Sequence, residues 1–368
     1  MRPVHSWLKH TFDDPQVLLV LLILAGALLF VTLFPAVAAP VLTAVVIAFI
    51  LDGPARGLRS LGLPHPWSAV TTYILFIAFM AGLIGLAVPA LALQLGAFSE
   101  QLPGMMSEVN NRLTKLPESY PSVIGQEELA VIMTELNAAT TNIMRRLVTF
   151  SLSSAPDLIG ATVYAILVLV MVFFFLKDRH VIMAWLSGFM PEHRPMADRI
   201  WSEFVSRAGD YTRGKVYEIV IVALVTWVTF LILGLDFAAL LAVMTGLSVI
   251  IPFIGAAVVT LPVALVAFFQ WGLGLDFAIA VGAYLVLQAI DGNVLVPLLF
   301  GEVVKLHPLA VIIAILLFGG IWGVGGLFFA VPLATLAKAV MDAWPAGKAG
   351  PDLSDPEVLA RRQAEAGE

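Results

Sequence analysis

The chain has no cysteine, which excludes disulfides, thiolate zinc sites and iron–sulfur clusters and leaves no trace of a redox compartment. Charge is also scarce. Asp, Glu, Lys and Arg make up 12% of its 368 residues, about half the ~25% of an ordinary soluble domain. The net charge of −6 provides no basic field, so no nucleic-acid partner is expected. Catalytic signatures are missing too: there is no HExxH, no GxSxG, no P-loop and no kinase set, so no metalloprotease, serine hydrolase or ATP-driven pump is supported. No enzyme activity, cofactor or resident metal is expected.

Apolar sequence fills the space that charge leaves. Hydrophobic residues are 60% of the chain, and they gather in runs of the ~18 or more residues that a membrane-crossing helix needs. The expected fold class is all-α, a polytopic helical membrane protein. Arg2 and Lys9 ahead of Val17–Phe34, with Ala36–Ala38 behind, imitate a secretory leader. The run is long for such a leader and a second apolar segment follows at once, so Val17–Phe34 and Pro40–Leu51 read as a hairpin turning at Pro35 and Pro40. A loop with Asp52, Arg56, Arg59 and His65 follows, then a crossing from Ser68 to Leu93.

Between Gln94 and Phe150 the apolar residues Phe98, Leu102, Met105, Val109, Leu113 and Leu116 recur in steps of three and four. The spacing predicts amphipathic helices that either pack on their own subunit or form an oligomer contact. Asp157–Leu176 crosses back. The segment Lys177–Lys215 is the most basic of the chain, and with Arg56 and Arg59 it places both termini in the cytoplasm by the positive-inside rule. Its Arg199, Glu203 and Arg207 are four apart and suit an interfacial helix.

Val216–Gly234 is a further crossing, and Gly234–Ala238 recurs identically at Gly274–Ala278, each Asp reading as a helix N-cap. Ala238–Phe269 is too long for one crossing and short for two. Its break at Pro252, Phe253 and Gly255 predicts a re-entrant hairpin. Pro308–Met341 is similar, with a tip at Gly319–Gly326, and Leu275–Ile290 crosses between them. The organisation expected is an N-terminal hairpin and third crossing (1–93), an amphipathic extracytoplasmic region (94–153), a crossing plus basic interfacial helix (154–215), a transport core with two re-entrant hairpins (216–344) and a disordered cytoplasmic tail (345–368).

The run from Asp291 through Asn293 and Pro297 to Gly301, then Leu306–Leu309, resembles the AI-2E family of bacterial transporters. Gly319, Gly320, Gly323, Gly325 and Gly326, the Ala330–Pro332 end and the upstream Pro252–Gly255 add to that resemblance, which spans about residues 10–344. It implies an inner-membrane permease that forms homo-oligomers, as pentamers, and exports a quorum signal of the autoinducer-2 type; some relatives resemble Na+/H+ antiporters instead. Gly292 departs from the family, where an acidic or amide residue is common.

The candidate binding residues are Pro252, Phe253, Gly255, Gln288, Asp291, Asn293, Gly319, Gly320 and Gly323. Pro297, Gly301 and Pro308 are candidate hinges. Broken backbone at membrane depth must be buried in protein or line a watery cavity, and exposed N–H and C=O groups at hairpin tips bind polar solutes or ions. Ionisable groups at that depth point the same way, although Asp291 can equally cap a helix end at the water interface beside Lys305. The expected partners are a small polar solute or a monovalent cation or proton, the lipid bilayer and further copies of the chain. Three functions stay open: a gradient- or proton-driven permease of an autoinducer-2-like solute, a Na+(Li+)/H+ antiporter, and a non-transporting oligomeric scaffold.

Overall fold

A computed structural model describes residues 15–114, 130–131, 133–134, 138, 158–191, 194–252, 254–300 and 306–343. Every regular element among them is helical, and by length and composition six of those helices can cross a membrane. Lipid provides no hydrogen-bond partners, so a chain this apolar satisfies its backbone within helices.

The first run forms α1 (Pro15–Leu33) and the second α2 (Pro35–Ser60). The turn falls at Phe34 rather than across Pro35–Pro40. Pro35 opens α2, where its missing N–H is no loss, while Pro40 and Pro54 lie inside the helix. The expected loop after Leu51 is likewise helical as far as Ser60. There Asp52 pairs with Arg56 at 3.2 Å, Arg59 at 3.3 Å and Arg179 at 3.6 Å. The third crossing comprises α3 (His65–Gly82), a π turn at Leu83–Ala87 and α4 (Val88–Thr114). Helix α4 carries Phe98, Leu102 and Met105 into a core within its own chain. The expected amphipathic stretch beyond Thr114 lies almost wholly outside the described residues, as does the tail after Ala343.

Helices α5 (Leu158–Lys177) and α6 (Arg179–Ser187) precede α7 (Pro195–Leu233), in which the basic interfacial segment and the next crossing are one uninterrupted helix. The chain continues as α8 (Ala238–Ser248), α9 (Ile254–Trp271), α10 (Leu275–Ile290), a second π turn (Asp291–Leu295), α11 (Val296–Phe300) and α12 (Pro308–Ala343).

The repeated Asp residues do not cap helices. Phe237, at φ 56°, precedes α8, and Gly274 precedes α10, neither with a side-chain cap. The amide of Asp236 instead donates to Gln270 Oε1 at 3.0 Å, and Gln270 Nε2 donates to the Gly234 carbonyl at 2.7 Å. Gln270, at the far end of α9, thus holds the turn before α8, while the first-turn amide of Leu240 donates to Gln94 Oε1 of α4 at 2.9 Å.

The fold separates into two compact units. One draws on residues 1–39, 184–208 and 306–368, the other on 40–183 and 209–305. In the first, Ile200 of α7 packs with Leu336 and Val340 of α12. In the second, the largest core joins α4, the C-terminal half of α7, α8, α9 and α10 around Leu241, Val263 and Tyr284, all of zero exposure.

Candidate functional site

Both π turns have a cause visible in the chain. A proline lacks the N–H that would bond the carbonyl four residues before it, and its ring crowds that carbonyl. Four residues before Pro89 is Gly85 and four before Pro297 is Asn293, the central residue of each five-residue π stretch. The ladder relaxes to the wider spacing, with the Val88 amide bonded to Leu83 and the Val296 amide to Asp291. Asn293 Nδ2 donates to the Ala289 carbonyl at 2.8 Å. Pro297, expected as a hinge, is thus the residue that builds the turn on which Asp291 sits.

Asp291 does not end a helix. It lies inside a helical rod running from Leu275 to Phe300, and its Oδ1 is buried with no hydrogen-bond partner. The charges that act on it come from α7. Lys215 and Glu218, 4% and 2% exposed, form a buried ion pair at 2.7 Å, and Asp291 lies within electrostatic reach of both. Phe300 roofs the pair: the Lys215 ammonium stands 5.5 Å from its ring centroid, a cation–π distance. Gly214 permits this approach, since a Cβ there would come within 2.9 Å of the Phe300 ring.

Lys215, Glu218, Val222, Thr226 and Phe230 follow one face of α7 in steps of three and four, and all are buried. Thr226 has zero exposure and its Oγ1 has no partner. This hydroxyl and Asp291 line one small cleft of about 120 Å³, whose remaining walls are apolar, including Ile221, Val225, Leu287 and Val294. An apolar cleft with two unfilled oxygens is an unusual arrangement, because buried polar groups nearly always find partners.

Gln288 leads elsewhere. Its Nε2 donates to Tyr284 Oη at 2.9 Å, which donates to the Ala256 carbonyl at 2.8 Å. Tyr284 therefore ties α10 to the start of α9, the second arm of a helical hairpin with α8. At 11 residues α8 is about 16 Å long, half of a ~30 Å hydrocarbon core. The hairpin turns through Pro252 and closes at Gly255, where any Cβ would collide with the Ser248 carbonyl. Gly246 lets α8 press on α7, where a Cβ would come within 2.8 Å of the Ile219 carbonyl and 2.7 Å of the Ala223 side chain. Phe253 lies outside the described residues.

In the other unit, α12 is a second hairpin. Gly323, at φ 60° and ψ −135°, takes a conformation open only to glycine. It divides α12 into apolar arms, Leu309–Gly323 and Gly325–Met341, each shorter than 18 residues. Gly319 faces Leu327, and Gly326 leaves no room for a Cβ beside the Phe318 carbonyl. Trp322 stacks on Phe318 at 5.7 Å and keeps a buried Nε1 without a partner. Gly320 meets no neighbour within 4 Å. Pro308 begins the helix, and the Leu309 amide donates to His307 Nδ1 at 3.2 Å. Gly301 and Lys305 lie outside the described residues.

The residues singled out from sequence thus divide. Asp291, Asn293 and Pro297 share one π turn, Gln288 reaches Gly255's hairpin through Tyr284, and Gly319, Gly320 and Gly323 form the tip of α12. Lys215, Glu218, Thr226 and Tyr284 were not singled out. The signal for the first three lay in their common spacing and in the presence of a carboxylate at Glu218 within an otherwise apolar run. No group of three or more His, Asp or Glu side chains suited to a metal occurs among the described residues.

The chain is similar in sequence to known proteins. PerM of Escherichia coli (strain K12), named as a permease, is 38% identical over 344 residues, 93% of this chain and 97% of its own. YrrI of Bacillus subtilis (strain 168), named as a transport protein, is 25% identical over 317 residues, 82% of this chain and 85% of its own. MT0215 of Mycobacterium tuberculosis (strain CDC 1551 / Oshkosh), also named as a transport protein, is 28% identical over 346 residues, 92% and 91% of the two chains. The AI-2E family transporter model matches residues 18–346, and the chain belongs to that family of membrane transporters.

Proposed function

We propose that the chain is a secondary transporter of a small polar solute, of the autoinducer-2 class, working in the bacterial inner membrane down a gradient or on the proton motive force. The observation that carries this reading is the tip of α12, where a helix breaks at Gly323 beside the unfilled Nε1 of Trp322. A soluble protein can solvate such a break; in lipid it needs protein around it or an aqueous cavity. The α8–α9 hairpin supports the reading, since its first arm of 11 residues is too short to cross. Both hairpins are taken as re-entrant, with tips that offer backbone groups and the Trp322 N–H to the solute.

The arginine and lysine side chains of α2, α5 and α6 at Arg56, Arg59, Lys177 and Arg179 support a cytoplasmic location for those helix ends and for both termini. Homo-oligomers, as pentamers, belong to the same proposal. Because the chain has no cysteine, Arg56→Cys gives a unique label whose reaction with a membrane-impermeant maleimide reports the sidedness directly.

Proteoliposomes loaded with a labelled autoinducer-2-type solute test the function. The parent chain is expected to raise efflux above empty vesicles. Trp322→Phe, which removes one N–H and keeps the ring stack, is expected to lower flux about tenfold without loss of folding. Parent flux equal to empty vesicles, or Trp322→Phe flux equal to parent, overturns the reading.

A further inference from the structure

Four helix ends meet at one end of a shared core. Leu51 and Ala55 of α2, Ala69 and Tyr73 of α3, and Val168, Val172 and Leu176 of α5 pack together, and just past them the chain turns basic. Arg56 and Arg59 follow on α2, Lys177 ends α5 and Arg179 begins α6. His65, the first residue of α3, packs on His180 of α6 with ring centroids 5.7 Å apart, so α3 and α6 start side by side.

Asp52 gathers the arginines. Its Oδ2 is 3.2 Å from Arg56 Nε and 3.6 Å from Arg179 Nη1, and its Oδ1 is 3.3 Å from Arg59 Nη2. Three guanidinium groups on one carboxylate leave two positive charges in excess. The neighbouring charges do not alter that count: Lys177 is 3.9 Å from Asp178, and Arg213, which passes Gly53 of α2, is paired with Asp210 at 2.6 Å. Like charges held this close repel one another, so the cluster has use for a second anion. It is also open to one. Arg56 and Arg179 are 54% and 48% exposed. Among the described residues, Nη1 and Nη2 of Arg56 and Nη1 of Arg59 have no hydrogen-bond partner.

The surface beside the cluster indicates which anion fits. Trp67, two positions after His65, is 65% exposed, and Leu75 and Phe79 continue its stripe along α3. An indole next to charged groups, with an apolar stripe leading away from it, marks a helix that passes from headgroups into acyl chains. The flat N–H forks of arginine match a phosphodiester, and basic side chains at the ends of membrane helices attract anionic headgroups. A soluble phosphate would engage the arginines and leave the stripe bare.

We propose that Arg56, Arg59 and Arg179 bind the phosphodiester of an anionic phospholipid whose acyl chains lie along α3 from Trp67 to Phe79. The bound lipid clamps the end of α2 to the start of α6 and supplies the anion that Asp52 alone cannot. This inference needs only a membrane location and is independent of the transport reading.

The test uses the purified full chain in mixed micelles at constant ionic strength and follows melting by circular dichroism. The micelles carry added phosphatidylglycerol, added phosphatidylcholine, or inorganic phosphate in place of added lipid. Phosphatidylglycerol is expected to raise the melting temperature in a saturable way, and the other two are expected to leave it unchanged. Arg56→Gln combined with Arg179→Gln is expected to weaken the phosphatidylglycerol effect about tenfold or more, while melting in phosphatidylcholine stays at the parent's temperature and shows that the variant folds. Arg199→Gln combined with Arg207→Gln removes the same charge from α7 and is expected to change the effect less than about twofold. Trp67→Ala interrupts the stripe and is expected to weaken phosphatidylglycerol with all three arginines in place.

Phosphatidylcholine or inorganic phosphate matching the effect of phosphatidylglycerol overturns the lipid site. Equal losses in the two double variants also overturn it, because the arginines would then act as general surface charge.

Discussion

The two π turns, Leu83–Ala87 and Asp291–Leu295, arise from the same local event and end differently. Each surrounds the residue four before a proline, and neither contains a fully buried residue. The first presents Leu83, Ile84 and Leu86, at 43%, 63% and 77% exposure, to its surroundings. The second presents Asp291 to the Lys215–Glu218 pair and to Thr226. A proline follows each widened turn without being enough to make one, since Pro40 and Pro54 lie inside α2 with no such turn, and the element packed opposite decides whether the widened turn becomes a polar site.

The largest expected effect breaks the charged side of this comparison. Lys215→Met leaves the buried Glu218 carboxylate without its counter-charge and is expected to cost about 3–5 kcal/mol, read by reversible unfolding in mixed micelles. Next, Leu83→Asp copies Asp291 onto the uncharged turn, where no lysine answers it. The expected cost is about 2.5–3.5 kcal/mol, whereas Asp291→Leu is expected to be far milder because it removes a carboxylate whose buried Oδ1 has no hydrogen-bond partner.

The prolines give the middle of the range. Pro297→Ala restores an α-helical ladder and turns Asp291 away from Thr226, so solute flux in proteoliposomes is expected to fall by about tenfold or more. Pro89→Ala removes the equivalent constraint where nothing polar depends on it, and flux is expected to change less than about twofold. Equal losses in the two variants would show that the prolines act as generic hinges and not through the groups they position. The smallest effect belongs to an exposed counterpart of the buried pair. Arg56→Ala breaks the contact with Asp52 on a side chain that is 54% exposed and is expected to cost about 0–1 kcal/mol.

Much of the architecture was legible in the chain. Segment length alone marked Ala238–Phe269 and Pro308–Met341 as unlike simple crossings, and the glycine cluster at 319–326 contains the break found at Gly323. Pro252–Gly255 likewise marks the turn between α8 and α9. The misreadings share one origin, which is that local chemistry was granted more authority than its neighbours allow. Asp236 and Asp276 have the sequence of N-caps, yet the first-turn amide of Leu240 at the first copy is met by Gln94, from α4. Pro40 has the sequence of a turn and lies inside a helix. Lys215 reads as the last of a basic loop, but α7 continues through it, and the same side chain becomes 4% exposed.

By itself the sequence determined an all-helical membrane chain with interrupted helices in its last third, because apolar runs without charge have no other way to satisfy their backbone in lipid. It also holds Pro89 and Pro297, each of which leaves the carbonyl four residues before it without an amide partner. Tertiary structure alone decided what stands opposite Asp291. Lys215, Glu218 and Thr226 are 65 or more positions distant along the chain, and no periodicity within one helix specifies which face of another it will meet. The ion pair near Asp291, the unpartnered oxygens and the cleft they line exist only through that packing.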